Sequence, residues 1–272
     1  MSLMASLPWY DLPQRQPQQD HFWSVLKRQL HDHGVGLLSQ TPFTRHSLPD
    51  RLNRHTPLEQ QWANPKLLLS QCCGPDLFTP RAQGLTTIAR PVFSDLDCAE
   101  GDYFSHIVVS DALGEPCPGA YRFVINSASS RSGSAALFEW TQRHQLSCQS
   151  VLVSGAHACS LDLLRSGLAD IAAIDAHSWP LLDTRGVTII GRSQPAASPP
   201  FVMHRDCPVS RDIMRAALGE AISQVGDSLH LSGLMPADHA LYQSVPAPWQ
   251  AAMPADGGCS SAQAHDNPPA SQ

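Results

Sequence analysis

The stretch "YRFVINSASSRSGSAALFEWTQRH", residues 121–144, decides the fold. It begins with an apolar run typical of a strand, passes through a serine-rich loop and ends in a segment of helical character. The same alternation continues, with strands predicted at 150–155, 170–175 and 186–191 and a helix at 157–167. Near-continuous apolar strands that alternate with helices are typical of an α/β protein with a parallel sheet.

The remaining chain carries weaker signals of the same two kinds. Apolar residues three and four positions apart predict a helix over 20–33. Further segments follow these patterns, with strands over 67–74, 103–111 and 201–204 and helices over 209–225 and 237–243. The end, 246–272, is rich in Pro, Gly, Ala and Ser without periodicity, so we expect a disordered tail.

Composition excludes several function classes. The chain has 272 residues, 42% of them hydrophobic, which suffices for two lobes with substantial cores. A net charge of −6 and the absence of a basic cluster argue against nucleic-acid binding. No apolar run is long enough to span a membrane, so we expect no membrane insertion. No metal-ligand spacing and no cofactor motif is present, and we expect neither a metal nor a cofactor.

The cysteines and the N-terminus favour a cytoplasmic protein. Eight cysteines are irregularly spaced, and the adjacent pair Cys72 and Cys73 would bridge only under strain, so we expect reduced thiols. The start "MSLMASLPWYDLP" has neither a charged region nor a long apolar run of the signal-peptide kind. The alternative is a periplasmic protein from which a signal has been removed.

The serine loop lies at the carboxyl end of a strand and before a helix, where α/β proteins bind ligands. Its hydroxyls and the N–H groups of the helix start can hold an oxyanion, and an arginine can add a charge-assisted contact. The candidate residues of this loop are Ser127, Ser129, Ser130, Arg131 and Ser132. Serines before a helix are equally common as N-caps and turn formers, so the loop alone leaves both interpretations open.

Two more polar residues follow the next strands of the predicted sheet. His157 comes after the strand at 150–155, and Asp175 ends the strand at 170–175. Either residue alone has a structural explanation, His157 as a helix cap and Asp175 as the start of a turn. Right-handed crossovers place successive parallel strand ends side by side, so we expect both to converge with the serine loop.

These residues also carry a resemblance to a known family. "SASSRSG" (127–133) resembles the Asp-Pro-Asn-Ser-Thr-Ser-Gly loop of the phosphonate/phosphate-binding proteins of ABC importers. "SGAHACSLDLLRSGLADIAAIDAHSW" (154–179) is similar to that family's Gly-Ser-His segment and the Ser-Gly-x-x-Asp-x-Ala-x-x-Asp run after it. With "SLPWYD" (6–11) and "PPFVMHRD" (199–206), the resemblance spans roughly residues 4–245.

The resemblance implies a two-lobed type II periplasmic-binding-protein-like fold with crossover hinge strands. Lobe 1 would comprise 4–105 plus 196–245, and lobe 2, with the anion-binding loop, would comprise 106–195. Such a protein closes on its ligand between the lobes. If it is exported, an ABC permease is the implied partner; otherwise the chain is a cytoplasmic relative.

The resemblance also implies roles for site residues. Ser130, Ser132 and His157 would hold the oxyanion, Asp175 would contact a cationic or hydroxyl part of the ligand, and Tyr10 would contribute from lobe 1. The chain departs from the family pattern in three places: Ser127-Ala128 replaces Asp-Pro, Arg131 replaces Thr, and Ala158 replaces an acidic residue. An arginine pointing into the cleft would either favour a more highly charged anion or fill the phosphonate's space.

Two functions follow from these observations. The first is a solute-binding protein or sensor for a small molecule that carries a phosphonate, phosphate or phosphate ester. The second is an enzyme on the same fold, similar to those that make thiamine-pyrimidine or menaquinone precursors, with Cys72 and Cys73 in the cleft. Both thiols are also explained as small core residues. No nucleophile elbow and no catalytic triad is evident, so binding without chemistry is favoured.

Overall fold

A computed structural model describes residues 2–36 and 47–243. The tail expected at 246–272 lies outside these residues. The strands are β1 (Met4–Ala5), β2 (Leu67–Gln71), β3 (Leu85–Phe93), β4 (Asp102–Tyr103), β5 (Ser105–Ser110), β6 (Ala120–Ile125), β7 (Ser147–Val153), β8 (Ile171–Asp175), β9 (Val187–Arg192), β10 (Ala196–Ala197), β11 (Phe201–His204) and β12 (Leu231–Met235).

The α-helices of the described residues are α1 (Gln16–Asp32), α2 (Leu58–Trp62), α3 (Ala136–Arg143), α4 (His157–Arg165) and α5 (Arg211–Val225). A π-helical turn, Arg131–Ala135, precedes α3, and a 3-10 turn, His239–Tyr242, stands where the sequence predicts a helix. Among the described residues, no helix is both long and apolar enough to cross a membrane.

Lobe 1 is built on a five-stranded sheet of order β1-β2-β11-β3-β12. Helices α1 and α5 pack together on one face, where Phe22, Trp23 and Leu218 are fully or almost fully buried. Trp62 of α2 and Leu67 of β2 belong to a second cluster of buried residues. Because both faces of the sheet are covered, β2 is a continuous buried run instead of an alternating one.

Lobe 2 repeats this arrangement with the strand order β7-β6-β8-β5-β9. Helix α3 supplies Leu137 and Phe138 to one core cluster, and α4 supplies Leu161 and Leu164 to the cluster on the other strand faces. Strand β8 lies between these clusters, and all five of its residues are buried. The residues that follow β8 are thereby held against a rigid centre.

The chain passes between the two sheets twice. It leaves lobe 1 through β4 and returns through β10, and these two short strands pair antiparallel with Tyr103 opposite Ala196. The adjacent strands β5 and β9 are neighbours in the sheet of lobe 2. Two adjacent crossovers therefore connect the two sheets.

The sheets are mixed, whereas the sequence analysis predicts a parallel sheet. In lobe 2, β6 is parallel to β7 and β8 as expected, but β5 is antiparallel to both β8 and β9. In lobe 1, β11 is antiparallel to β2 and β3. Strand β12 is antiparallel to β3 as well. The strands β5 and β11 are those by which the chain enters each sheet from the crossover, so their direction follows from connectivity that periodicity does not report. The strands β6, β7 and β8 still end at one common edge.

Candidate functional site

A cavity of about 460 Å³ lies between the two lobes, at the carboxyl ends of β6, β7 and β8. Lobe 1 contributes the loop after β1 and the segment after β2, and lobe 2 contributes the loops that lead into α3 and α4. Six of the residues singled out in the sequence line it: Tyr10, Ser127, Ser130, Ser132, His157 and Asp175. The convergence inferred from strand order therefore occurs in the structure.

Ser130 is the N-cap of the π-helical turn before α3. Its Oγ accepts a hydrogen bond from the Gly133 N–H at 2.9 Å, and the side chain is buried. A hydroxyl has one proton to donate besides the bond it accepts, so the cap leaves that proton available to a ligand. Capping and binding are thus compatible at Ser130.

Ser132 lies next to His157 across the cavity wall. The Ser132 Oγ and the His157 Nε2 are 3.2 Å apart. Burial lowers the pKa of His157, while the carboxylate of Asp175 acts in the opposite direction. His157 is therefore neutral at pH 7, and its Nδ1 is buried without a hydrogen-bond partner among the described residues.

The N-terminus of α4 opens into the cavity without a side-chain cap. Its N-cap residue is Ala156, which has no side-chain acceptor, and Gly155 precedes it at φ +87°. Gly155, Ala156, His157 and Ala158 all line the cavity. The first N–H groups of a helix lack intrahelical partners and carry partial positive charge, so this end of α4 presents donors toward the cavity.

Asp175 organises the other side of the site. Its Oδ1 accepts the N–H groups of His177 at 2.8 Å and Ser178 at 3.1 Å, and its Oδ2 accepts the Tyr10 hydroxyl at 3.0 Å. Burial, reinforced by the Asp175 carboxylate, raises the pKa of Tyr10 well above its usual value. Tyr10 thus remains a protonated donor that links lobe 1 to lobe 2.

A second contact holds the lobes together beside this bond. The His177 Nδ1, in lobe 2, lies 2.9 Å from the carboxylate of Asp95 in lobe 1. The His177 ring stacks on Phe93 with centroids 4.1 Å apart and meets the Tyr10 ring edge-on. Polar and aromatic contacts therefore join the two lobes, and we call this arrangement the closed form.

Arg131 does not point into the cavity, which corrects the expectation from the sequence. Its guanidinium forms two hydrogen bonds with the Glu139 carboxylate, at 2.6 and 2.8 Å, on the hinge side of the loop. Only its backbone N–H is directed toward lobe 1, where it donates to the Cys73 Sγ at 3.2 Å. The bidentate pair satisfies the guanidinium, so Arg131 supplies no charge to a ligand.

Ser129 is likewise outside the cavity lining, contrary to expectation. Its Oγ donates to the Asp76 Oδ1 at 2.7 Å and accepts from the Arg81 guanidinium at 3.3 Å. Both partners belong to lobe 1, and they are paired with each other as well. The role of Ser129 in this structure is to connect the lobes.

The two adjacent cysteines differ in position. Cys72 is fully buried in the core of lobe 1 and does not line the cavity, whereas Cys73 does. Burial, with a smaller effect of Asp76, raises the pKa of Cys73 to about 12. A thiol that is protonated at neutral pH is a poor nucleophile, so neither cysteine supports the enzymatic alternative.

Sequence reasoning missed five polar or charged residues of the lining, namely Asp11, Asp76, Arg81, Asn126 and Ser178. Asn126 directly follows β6, and its Oδ1 lies where a side chain at Gly133 would begin, 1.9 Å from that position. This close approach explains why the loop has glycine there. The polar residue at a strand end was a usable signal for Asn126. Asp76 and Arg81 gave no such signal, because they reach the cavity only through the folding of lobe 1.

Comparisons with known proteins bear on the fold. The PhnD1 protein of Prochlorococcus marinus, solved with methylphosphonate, superposes with a TM-score of 0.63 at 15% identity, over 89% of this chain and 94% of that one. A binding-protein component of a phosphonate ABC transporter from Pseudomonas aeruginosa gives 0.60 at 13% identity, over 89% and 83%. A Xanthomonas citri protein solved with ATP gives 0.60 at 12% identity, over 89% and 97%.

No protein-family model matches the chain, and no curated protein matches it in sequence. At 12–15% identity the structural likenesses bear on the fold alone. They confirm the expected fold class, because the superposed proteins are two-lobed solute-binding proteins matched over nearly their whole length. The chain therefore has the two-lobed α/β fold of the type II periplasmic binding proteins, the fold of phosphonate-binding components of ABC transporters.

Proposed function

We propose that this protein binds a small oxyanion-bearing molecule, a phosphonate, phosphate or phosphate ester, in the cavity between its lobes. The observation that carries the proposal is the uncapped N-terminus of α4 beside the Ser132 hydroxyl and the neutral His157. The unpaired helix N–H groups are donors, and the Ser132–His157 pair, which shares one hydrogen bond, has one further proton to donate. Donors without a built-in acceptor are what an oxyanion requires.

The charges around the cavity indicate that hydrogen bonds, and not a cationic side chain, would hold the anion. Arg81 lines the cavity but is paired with Asp76, and Arg54 pairs with Asp11 at 2.6 Å. The side chain of Asp175 lies at one side, where it accepts the Tyr10 hydroxyl. The anionic group is therefore proposed at the α4 end, and a cationic or hydroxyl part of the ligand at Asp175.

The two-lobed fold favours a solute-binding or sensing role. Superposed proteins with this fold include a component of a phosphonate ABC transporter, and the present cavity is formed by both lobes. Ligand contacts to both lobes would stabilise the closed form. A partner protein that binds the closed form would then distinguish the ligand-bound protein from the free one. An ABC permease is the corresponding partner if the protein works outside the cytoplasm.

Calorimetric titration with methylphosphonate, phosphate and sulfate tests the proposal. At least one of these anions should bind, and Ser132→Ala should weaken its binding about tenfold or more, because a hydrogen bond to a charged group contributes about 1.5–3 kcal/mol. Ser223→Ala, an exposed serine on α5, is the control and should bind as the unaltered protein does. Unchanged affinity in Ser132→Ala would remove Ser132 from the binding site.

A further inference from the structure

The cavity is larger than an oxyanion needs. A phosphonate or phosphate head group has about five heavy atoms and fills roughly the volume of three water molecules, about 90 Å³. The cavity measures about 460 Å³ in the closed form. Most of it therefore remains for another part of the ligand, and cavities of this size hold ligands with a substantial organic body.

Part of the cavity lining is apolar. Lobe 1 contributes Pro8, Trp9, Leu12 and Leu58, and lobe 2 contributes Leu182. Pro8 is exposed and the other four are partly exposed, so each has apolar surface left to cover. We name these five residues the apolar wall.

Trp9 gives the apolar wall a fixed flat element. Its ring stacks on the fully buried Trp62 with centroids 6.3 Å apart and planes inclined by 20°. The carboxylate next to it, Asp11, is held by two hydrogen bonds from Arg54 at 2.6 and 3.1 Å. A compensated carboxylate and a stacked indole leave this end of the cavity without an unpaired charge.

We infer that the ligand is an amphipathic monoester or phosphonate whose anionic head lies at the α4 end and whose aryl or branched alkyl body lies on the apolar wall. This inference rests on the proposed function for the position of the head. Burial of apolar surface is favourable in proportion to the area removed from water, so the body adds affinity that a minimal anion lacks. Its flat or branched shape matches a wall of one indole and three leucines.

A comparison of three ligands tests the inference by calorimetry on the full-length protein. Methylphosphonate supplies the head alone, benzyl alcohol the body alone, and phenylphosphonate both. Phenylphosphonate should bind at least tenfold more tightly than either of the others. In Leu12→Ala/Leu182→Ala this advantage over methylphosphonate should fall by at least threefold.

Leu168→Ala is the matched control, since Leu168 is 56% exposed and away from the cavity. It should leave all three affinities as they are. Equal binding of methylphosphonate and phenylphosphonate would overturn the inference and leave the proposed function standing. Equal binding of benzyl alcohol and phenylphosphonate would instead overturn the proposed function, because the head would then contribute nothing. Binding of none of the three would overturn both.

Discussion

Ser130→Ala is the variant that best separates capping from binding, because one hydroxyl is placed to do both. The Ser130 Oγ accepts the Gly133 N–H at 2.9 Å and also lines the cavity. A second N-cap serine serves as the comparison. Ser210 caps α5, where its Oγ accepts the Ile213 N–H at 3.2 Å, and it is exposed on the surface of lobe 1. Both variants lose a cap, and only Ser130→Ala loses a cavity donor.

The structure sets the expected magnitudes. Loss of an N-cap hydroxyl costs about 0.5–2 kcal/mol in the free energy of unfolding. Ser130 is 5% exposed and Gly133 is buried, so water cannot replace the lost acceptor, and we expect the upper half of that range. For Ser210→Ala water can do so, and we expect the lower half. At about 2–4 °C per kcal/mol, the melting temperature falls by about 2–8 °C in Ser130→Ala and by less in Ser210→Ala.

The assay combines thermal unfolding with calorimetric titration of the anion that binds the unaltered protein most tightly. Ser130→Ala should lose both stability and about tenfold in affinity, since a donor to a charged group is removed. Ser210→Ala should lose stability alone. The reasoning is refuted if Ser130→Ala binds the anion as tightly as Ser210→Ala does, because the loop serine would then be a cap and nothing more.

Three further predictions concern His157, Gly133 and Cys73. Because the pKa of His157 is lowered in the folded protein, the unfolded chain takes up a proton at this residue first as the pH falls. The free energy of unfolding should therefore fall below about pH 6.5. Urea titrations at several pH values should show a shallower fall in His157→Gln, and an equal fall would contradict the buried neutral imidazole. Gly133→Ala would place a Cβ 1.9 Å from the Asn126 Oδ1 and should destabilise the protein by about 1–3 kcal/mol in chemical denaturation. The control is Gly219→Ala within α5, whose Cβ meets only the Leu234 side chain at 4.0 Å. This control should stabilise the protein by about 0.5–1 kcal/mol. Because its pKa is raised to about 12, Cys73 should resist iodoacetamide at pH 7.5, whereas the exposed Cys117 and Cys159 should react. Mass spectrometry of the peptides measures the labelling of each cysteine. Rapid labelling of Cys73 would support the enzymatic alternative.

The sequence predicted the part of lobe 2 that carries the site. Strands β6 and β8, the second half of β7 and helices α3 and α4 were predicted from their apolar runs or periods, which give way to polar or glycine residues. Parallel order then brought Ser132, His157 and Asp175 to one edge by connectivity alone. Those steps need only local periodicity and the handedness of crossovers.

Other features depend on tertiary contacts that no local pattern reports. Strand β3 was not predicted; it contains Arg90 and Pro91, which interrupt its apolar run. The pairing of Arg131 with Glu139 was missed because the π-helical turn sets the direction of the arginine side chain. The bond from Tyr10 to Asp175 spans 165 positions and exists only when the lobes are closed.

The most direct test of the central claim is a crystal structure with arsenate or phenylarsonate, in which the arsenic atom is located by its anomalous scattering. We expect a peak in the cavity, with arsonate oxygens about 2.7–3.2 Å from the Ser132 Oγ and from backbone nitrogens at the start of α4. Arsenic peaks confined to the outer surface, with the cavity beside His157 empty at saturating ligand, would contradict the account.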